Sequence, residues 1–514
     1  MEIGVIGFFI ISLIAYKRED EIEQRLSNHK IIYRILPFFI CSFIAFLLAI
    51  KLDLSPFNRS FPGTDSSVFL YIGKAMQSGA IPYKDLFDHK GILLYFIEYL
   101  GYLIGFGNKI GVWLIELINL FFTTVIFYFI ARLFTKSKII CYLADFIIIS
   151  VCALSFFEGG NLVEEYALPW ISLSLYLVIK FFITNEYKNW NILIIGAGFA
   201  IVSFLRINMV GLWGALILAV AICFIKNKRF FELVKCALLF LAGCAIVCLP
   251  ILIYLLSTDS LHEMVKYYFT FNFAYTGSYS RRGIITFFFQ CISLAGISSF
   301  FVFYSIYAYY KNKVVWLNLL GLSFAYLSSA ISGRAYAHYA IIFLPFFVIP
   351  AVLTILPFME KTKQISLTIK RKGVLISIIA ICLLCSAINP GYEFYLKLSR
   401  NTSSSPVKDY VIENTSEKDD VLLLGNHAIF YIDSNRQTNN KFFYQEPPIE
   451  ISDRLYDEFI MELNQSPPNY IISIKSDLSR YGEESNYYKV LAYLNESEMY
   501  RFEEYDTFQV YVRK

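Results

Sequence analysis

FPGTDSSVFLYIGKAMQSGAIPYKDLFDHKGILLY, residues 61–95, places Asp65, Asp85, Asp88, His89 and Lys90 between apolar runs long enough to cross a bilayer. A polar stretch flanked in this way is a loop at a membrane surface, and ionisable groups gathered there point to chemistry. The rest of the chain fits the same setting. Its 514 residues are 57% hydrophobic, 18% aromatic and only 17% charged, with a mean hydropathy of +0.54. That is more apolar surface than a soluble globule can bury, so the chain reads as a polytopic α-helical membrane protein. A net charge of +4, dispersed along the sequence, gives no basis for a nucleic-acid partner. The ten cysteines fall inside apolar runs and read as small buried hydrophobes, the C-x-x-C of Cys382 and Cys385 included.

Topology follows from the positions of Lys and Arg. The run 3–16 reaches only ~21 Å at ~1.5 Å per residue, short for a ~30 Å hydrocarbon core, and is counted as a span with that reservation. Residues 31–50 form an adequate span. Lys17, Arg18, Arg25, Lys30 and Arg34 precede it, so that side is cytoplasmic and the loop from Lys51 lies outside. The next apolar run, 92–106, must lie along the interface, because a crossing there would put Arg132, Lys136 and Lys138 on the wrong side. Later spans fall near 110–134, 139–157, 166–183, 191–205, 208–225, 235–256, 284–309, 314–332, 340–358 and 373–389, giving about 11–12 in all. This threading leaves Arg206, Lys266, Arg281, Arg282 and Arg334 on the outer side, against the positive-inside trend.

From residue 391 the composition turns polar. Strands are expected at 421–425, 441–444, 470–474 and 508–512, with helices at 406–413 behind Ser405 and 453–463 behind Ser452. The expected domains are therefore a membrane domain, 1–390, whose first extracytoplasmic loop is 53–109, and a small extracytoplasmic α/β domain, 391–514. The latter carries neither a phosphate-binding glycine loop nor a nucleophile elbow, and reads as an acceptor-docking or lid domain.

The succession T-D-S, then G-x-I-P-Y-x-D-L-F-D-H-K-G, then an aromatic amphipathic run resembles the first outer loop of the GT-C class of integral-membrane glycosyltransferases. Bacterial protein O-mannosyltransferases and aminoarabinose transferases are the relatives it is most similar to. Gly91 stands where those enzymes place a proline. The resemblance implies inverting transfer of a sugar from a polyprenyl phosphate to a cell-envelope acceptor, whether glycan, lipid or protein, at the outer face of the plasma membrane. Such transfer needs one carboxylate to take the acceptor proton and cations to hold the departing phosphate, which leaves without a second acid. The resemblance makes Asp65 the base and Lys90, beside His89, a donor-phosphate contact; Arg206, Arg334, His338 and Tyr339 are assigned to the same phosphate because these cationic clusters stand on the outer side against the positive-inside trend. The resemblance makes Asp85, Asp88, Glu164 and Glu165 acceptor or metal groups, with Asp65 and Glu164 as ligands of Mg²⁺ or Mn²⁺ if a divalent cation is used.

Plainer readings stand beside these. Asp65 would also cap a helix beginning at Ser66. Glu158, Glu164 and Glu165 could be a solvated hinge, and Arg281 and Arg282 could snorkel to lipid headgroups. A polysaccharide polymerase or other lipid-linked glycan handler is the main rival function, but it leaves the carboxylates of the first loop unexplained. A transporter predicts charges within spans, for which Glu116 and Asp145 are the exceptions. Sugar, acceptor and oligomeric state are not specified by the sequence.

Overall fold

Long apolar runs fold as single helices here because a backbone in hydrocarbon must satisfy its hydrogen bonds within the segment. The computed structural model describes residues 12, 15–27, 29–58, 62–149, 156–275, 281–331, 333–364, 405–478 and 480–514. The span at 373–389, the boundary at 390–391 and the Cys382–Cys385 pair lie outside these residues, as does most of the run 3–16.

Among the described residues, five helices are long and apolar enough to cross a membrane: Ile31–Ala49, Ile110–Arg132, Val163–Thr184, Phe230–Ser257 and Ala337–Glu360. Gly283–Ala295 and Ile297–Ala308, bent by 96° at Gly296, count as a sixth if taken together. This is fewer than the 11–12 expected, partly because the expected spans 191–205 and 208–225 appear as the shorter helices Asn189–Leu205 and Gly211–Lys226. At 1.5 Å per residue these 17 and 16 residues reach only ~25 Å. The run expected along the interface is the helix Ile92–Ile104, whose 13 residues reach ~20 Å, short for a ~30 Å hydrocarbon core.

The chain divides into two compact units, residues 1–59, 113–251 and 278–400 in one, and 60–112, 252–277 and 401–514 in the other. In the first, the membrane unit, small residues let helices approach closely. A Cβ at Gly196 would lie 2.1 Å from the Phe240 carbonyl, and one at Gly243 the same distance from the Leu193 carbonyl, so neither position accepts a side chain. Trp213 donates from Nε1 to the Ile195 carbonyl at 3.0 Å, tying two of the shorter helices together.

The second unit joins the first loop to the C-terminal residues. The helix Thr64–Gln77 packs on Ile92–Ile104 through Gly73, which faces Glu98. A four-stranded sheet has the order β1 (Val421–Leu423), β2 (Tyr470–Ile474), β4 (Phe508–Arg513), β3 (Tyr500–Glu504); β1 and β2 are parallel, while β4 is antiparallel to β2 and β3. Helices Pro406–Asn414, Asp453–Gln465 and Asn486–Glu496 complete the α/β part. Ser452 caps its helix as expected, accepting from Leu455 N, whereas Ser405 makes no side-chain cap bond. Residues 441–444 are not a strand. Their aromatic side chains are buried in contact with the first loop, and Phe87 N donates to the Lys441 carbonyl at 2.9 Å in place of a sheet partner. Phe442 stacks on Phe87 with ring centroids 5.1 Å apart, and Tyr71 packs on Phe443 at 4.6 Å.

Candidate active site

The unit containing residues 60–112 holds Asp65 in the first turn of Thr64–Gln77. Gly63 occupies the N-cap position and no side-chain cap bond is made, so the helix starts before Asp65 and the capping role does not apply. The carboxylate is half-buried on the helix surface. Phe69, four residues on, shares its face, and the Lys90 ammonium lies over the Phe69 ring, 5.9 Å from its centroid. A carboxylate and a cation are thereby placed along one helix face.

Lys90 is almost wholly buried, as is Asp88, and the loop between Pro82 and Gly91 explains how both are held. Tyr83 adopts φ 67°, a left-handed conformation that a bulky residue takes only when its surroundings impose it. Its N–H donates to the Leu86 carbonyl at 2.9 Å and its hydroxyl to the Lys90 carbonyl at 2.7 Å, closing the loop on itself. Lys90 Nζ donates to His89 Nε2 at 3.1 Å, and His89 Nδ1 lies 3.3 Å from Asp88 Oδ1. Asp88 also accepts from the Tyr95 hydroxyl at 2.8 Å and from the Tyr444 hydroxyl at 2.6 Å. Burial opposes a charge on Asp88, but the hydrogen bonds and charges of His89 and Lys90, with the Tyr444 bond, outweigh it and hold the carboxyl well below the usual range. Asp88 is thus an internal anchor for His89 and Lys90. Asp85 is exposed and accepts from Ile81 N at 2.8 Å, closing the turn behind Pro82.

The membrane unit holds the other candidates. The backbone turns extended at Arg206 (φ −162°, ψ 119°), ending Asn189–Leu205, and resumes through a 3₁₀ turn at Ile207–Met209. Non-helical backbone at such a depth is tolerated where protein surrounds it. Arg206 donates to Glu164 Oε1 and to the Tyr339 hydroxyl, each at 2.5 Å, and its guanidinium lies 4.2 Å from the Tyr339 ring centroid. The pair's side chains are 16% and 3% exposed, so each needs the other. His338 Nδ1 pairs with Glu158 Oε2 at 2.7 Å. Tyr336 stacks on His338 at 5.5 Å and accepts from Arg334 at 3.3 Å. His338 packs edge-on against Tyr339 with ring centroids 4.9 Å apart, which connects Arg206, Arg334, His338, Tyr339 and Glu164 in one network. For Arg281 and Arg282 only the backbone is described.

Glu165 is buried and shares the Asn161 N–H with Glu116, whose Oε1 lies at 2.5 Å and the Glu165 Oε2 at 3.1 Å. Gly159 (φ +106°) makes this hinge possible, since a Cβ there would lie 2.0 Å from Asp53 Oδ2. Asp65 and Glu164 belong to different units, and Glu164 is engaged by Arg206. Among the described residues no three His, Cys, Asp or Glu side chains are arranged to hold a metal ion. No chemical step is assigned to one.

Residues 27–384, more than half of the chain, match the family model described as the putative competence-induced protein Ccs4 N-terminal domain. The chain belongs to this family. No curated protein matches the sequence. The fold of this Ccs4-family chain is similar to that of ArnT from Cupriavidus metallidurans, solved bound to undecaprenyl phosphate, with TM-score 0.58 and 12% identity over 93% of this chain and 98% of that one. It is also similar to the archaeal oligosaccharyltransferase AglB from Archaeoglobus fulgidus in complex with an inhibitory peptide and a dolichol-phosphate, with TM-score 0.52 and 11% identity over 94% and 75%. Both likenesses bear on the fold, which is of the GT-C class as the first loop suggested.

The Ccs4-family chain also uses residues that sequence reasoning passed over. Asp53 and Asn161 at the hinge could have been found from the Gly159–Gly160 pair, which demands left-handed backbone. Tyr444 had no local signal, because its partner Asp88 lies 356 residues away in sequence.

Proposed function

We propose that this protein is a glycosyltransferase of the cell-envelope membrane, taking a sugar from a polyprenyl phosphate donor and passing it to an acceptor hydroxyl with inversion. The observation that carries the reading is Arg206, a cation at a helix break, oriented by Glu164 and Tyr339 in a position that the positive-inside trend would otherwise have emptied. A guanidinium fixed in this way is suited to a phosphate. A fold like that of ArnT, which was solved with undecaprenyl phosphate, supports the same donor class.

In the proposed reaction Asp65 takes the acceptor O–H proton as that oxygen bonds to the anomeric carbon. The bond from that carbon to the phosphate oxygen breaks, and the pair of electrons leaves with the polyprenyl phosphate. In this reading Arg206 and Arg334 stabilise the phosphate, and Lys90 and His89 are further candidate phosphate contacts. The purified protein incubated with a panel of polyprenyl-phosphate sugars should consume one of them. If no donor is consumed and none binds, the proposal is withdrawn in favour of another lipid-linked glycan handler.

A further inference from the structure

The carboxyl ends of β1 and β2, where a parallel strand pair ordinarily presents ligand-binding groups, carry an acidic cluster that nothing above uses. His427 follows β1 in the segment Leu424-Gly425-Asn426-His427, and its Nε2 lies 2.5 Å from Asp477 Oδ2, in the turn after β2. Asp477 is 3% exposed, and its other oxygen has only a 3.4 Å contact with Arg480, whose side chain is 67% exposed. Gln445 clamps the loop, donating from its backbone to the Gly425 carbonyl at 3.0 Å and accepting from Gly425 N at 2.8 Å. This brings the next residue, Glu446, to the cluster.

Glu446 is the informative member. It is 3% exposed, and neither carboxylate oxygen has a hydrogen-bond partner of normal geometry; the Tyr481 hydroxyl is its polar neighbour. Its neighbour Glu450 has a structural task, accepting from Asn486 N at 3.2 Å and Tyr487 N at 2.7 Å at the start of a helix. Glu446 has none. Asn426 Oδ1 is a further buried atom without a donor. Every unmet atom named here is therefore an acceptor, and leaving a buried acceptor unmet opposes folding. Donors are missing, and the surrounding charge is negative.

We propose that Glu446, Asp477, Asn426 and His427 form a binding site for a primary ammonium group, entered from the part-exposed side of His427. Among the described residues no three His, Cys, Asp or Glu side chains are placed to hold a metal ion. An amino sugar and an ethanolamine headgroup carry the same ammonium, and the site is assigned to that shared chemistry. The assignment is independent of the transferase reading.

The groups facing Glu446 are Glu450, Asp477, Tyr481 and Tyr487, with His427 and Arg480 reaching it through Asp477. Burial, with Glu450 and Asp477, pushes the Glu446 carboxyl up to about 7. An ammonium favours its charged form, so binding of an amine that stays protonated up to pH 8, such as ethanolamine, should release a proton and strengthen as pH rises, by about tenfold from pH 6 to pH 8.

The test is titration calorimetry on the full chain in detergent, in phosphate and MOPS buffers, with glucosamine, ethanolamine, glucose and N-acetylglucosamine. At pH 6.5, where both amines are charged, glucosamine, ethanolamine or both should bind with proton release, and the two uncharged sugars should not. Binding by one amine alone identifies the source. Glu446→Gln should weaken binding at least tenfold with thermal unfolding unchanged; if that variant unfolds early, the buffer-dependent proton release of the wild type decides. The proposal is overturned if neither amine binds, if the uncharged sugars bind equally well, or if binding releases no proton.

Discussion

Asp65 is the residue whose substitution is most informative. Since it does not cap its helix, Asp65→Asn should leave expression and donor binding intact while lowering turnover by roughly 10² to 10⁴. Steady-state transfer by a well-folded variant at near wild-type rate would remove it from the mechanism. Arg206 makes a second, separable case. Arg206→Ala should weaken donor binding by about 1.5–3 kcal/mol for the lost charged contact. It should also destabilise the fold, by about 3–5 kcal/mol, because Glu164 is left buried and unpaired. Adding Glu164→Gln should restore thermal stability without restoring donor binding. Recovery of both would mean that Arg206 acts only by packing. At this scale the sequence was readable where a charge opposed its setting, as at Arg206. It was unreadable where a residue's role depends on distant partners: Asp88 stands beside Asp85 in sequence, yet one is an exposed turn residue and the other a buried anchor.

Elements show the same division. Apolar helices were legible because their periodicity and length are local properties, although two of the expected spans form helices of only 17 and 16 residues. Residues 441–444 were not, because an aromatic run of that length fits a strand equally well and only the first loop decides otherwise. Their contact makes a measurable prediction. The hydroxyl of Tyr444 donates to a charged Asp88, so Tyr444→Phe should cost about 1.5–3 kcal/mol in the unit containing residues 60–112 while leaving the aromatic packing in place. The pH dependence has a definite sign. A depressed Asp88 pKa means that its stabilisation is fully present above the ordinary carboxylate value of about 3.9 and is lost as pH falls through the lower folded value. The difference in melting temperature between wild type and Asp88→Asn should therefore shrink in strong acid. A difference that grows as pH falls below about 3 would contradict this account.

For the molecule as a whole, the GT-C fold was foreseen from one loop and from composition. The expected boundary at 390–391 lies outside the described residues, and residues 60–112 form one compact unit with 252–277 and 401–514. Topology remains the sharpest test at this scale. Single cysteines at positions 65 and 435 should react alike with an impermeant thiol reagent on intact cells, since Lys74 in the first loop donates to Asn435 at 2.9 Å within one unit. Labelling of one position and protection of the other would break the proposed threading.

Tyr444 has one more consequence, for the order in which the protein is made. Its partner Asp88 leaves the ribosome 356 residues earlier, which at ~5–20 residues per second is roughly 20 to 70 s. Throughout that interval the segment bearing Asp88, His89 and Lys90 has neither the tyrosine hydroxyl nor the Lys441 carbonyl that fixes Phe87. A nascent chain already threaded into the bilayer therefore lacks a finished loop, and the charged triplet reaches its final arrangement only when translation is nearly over.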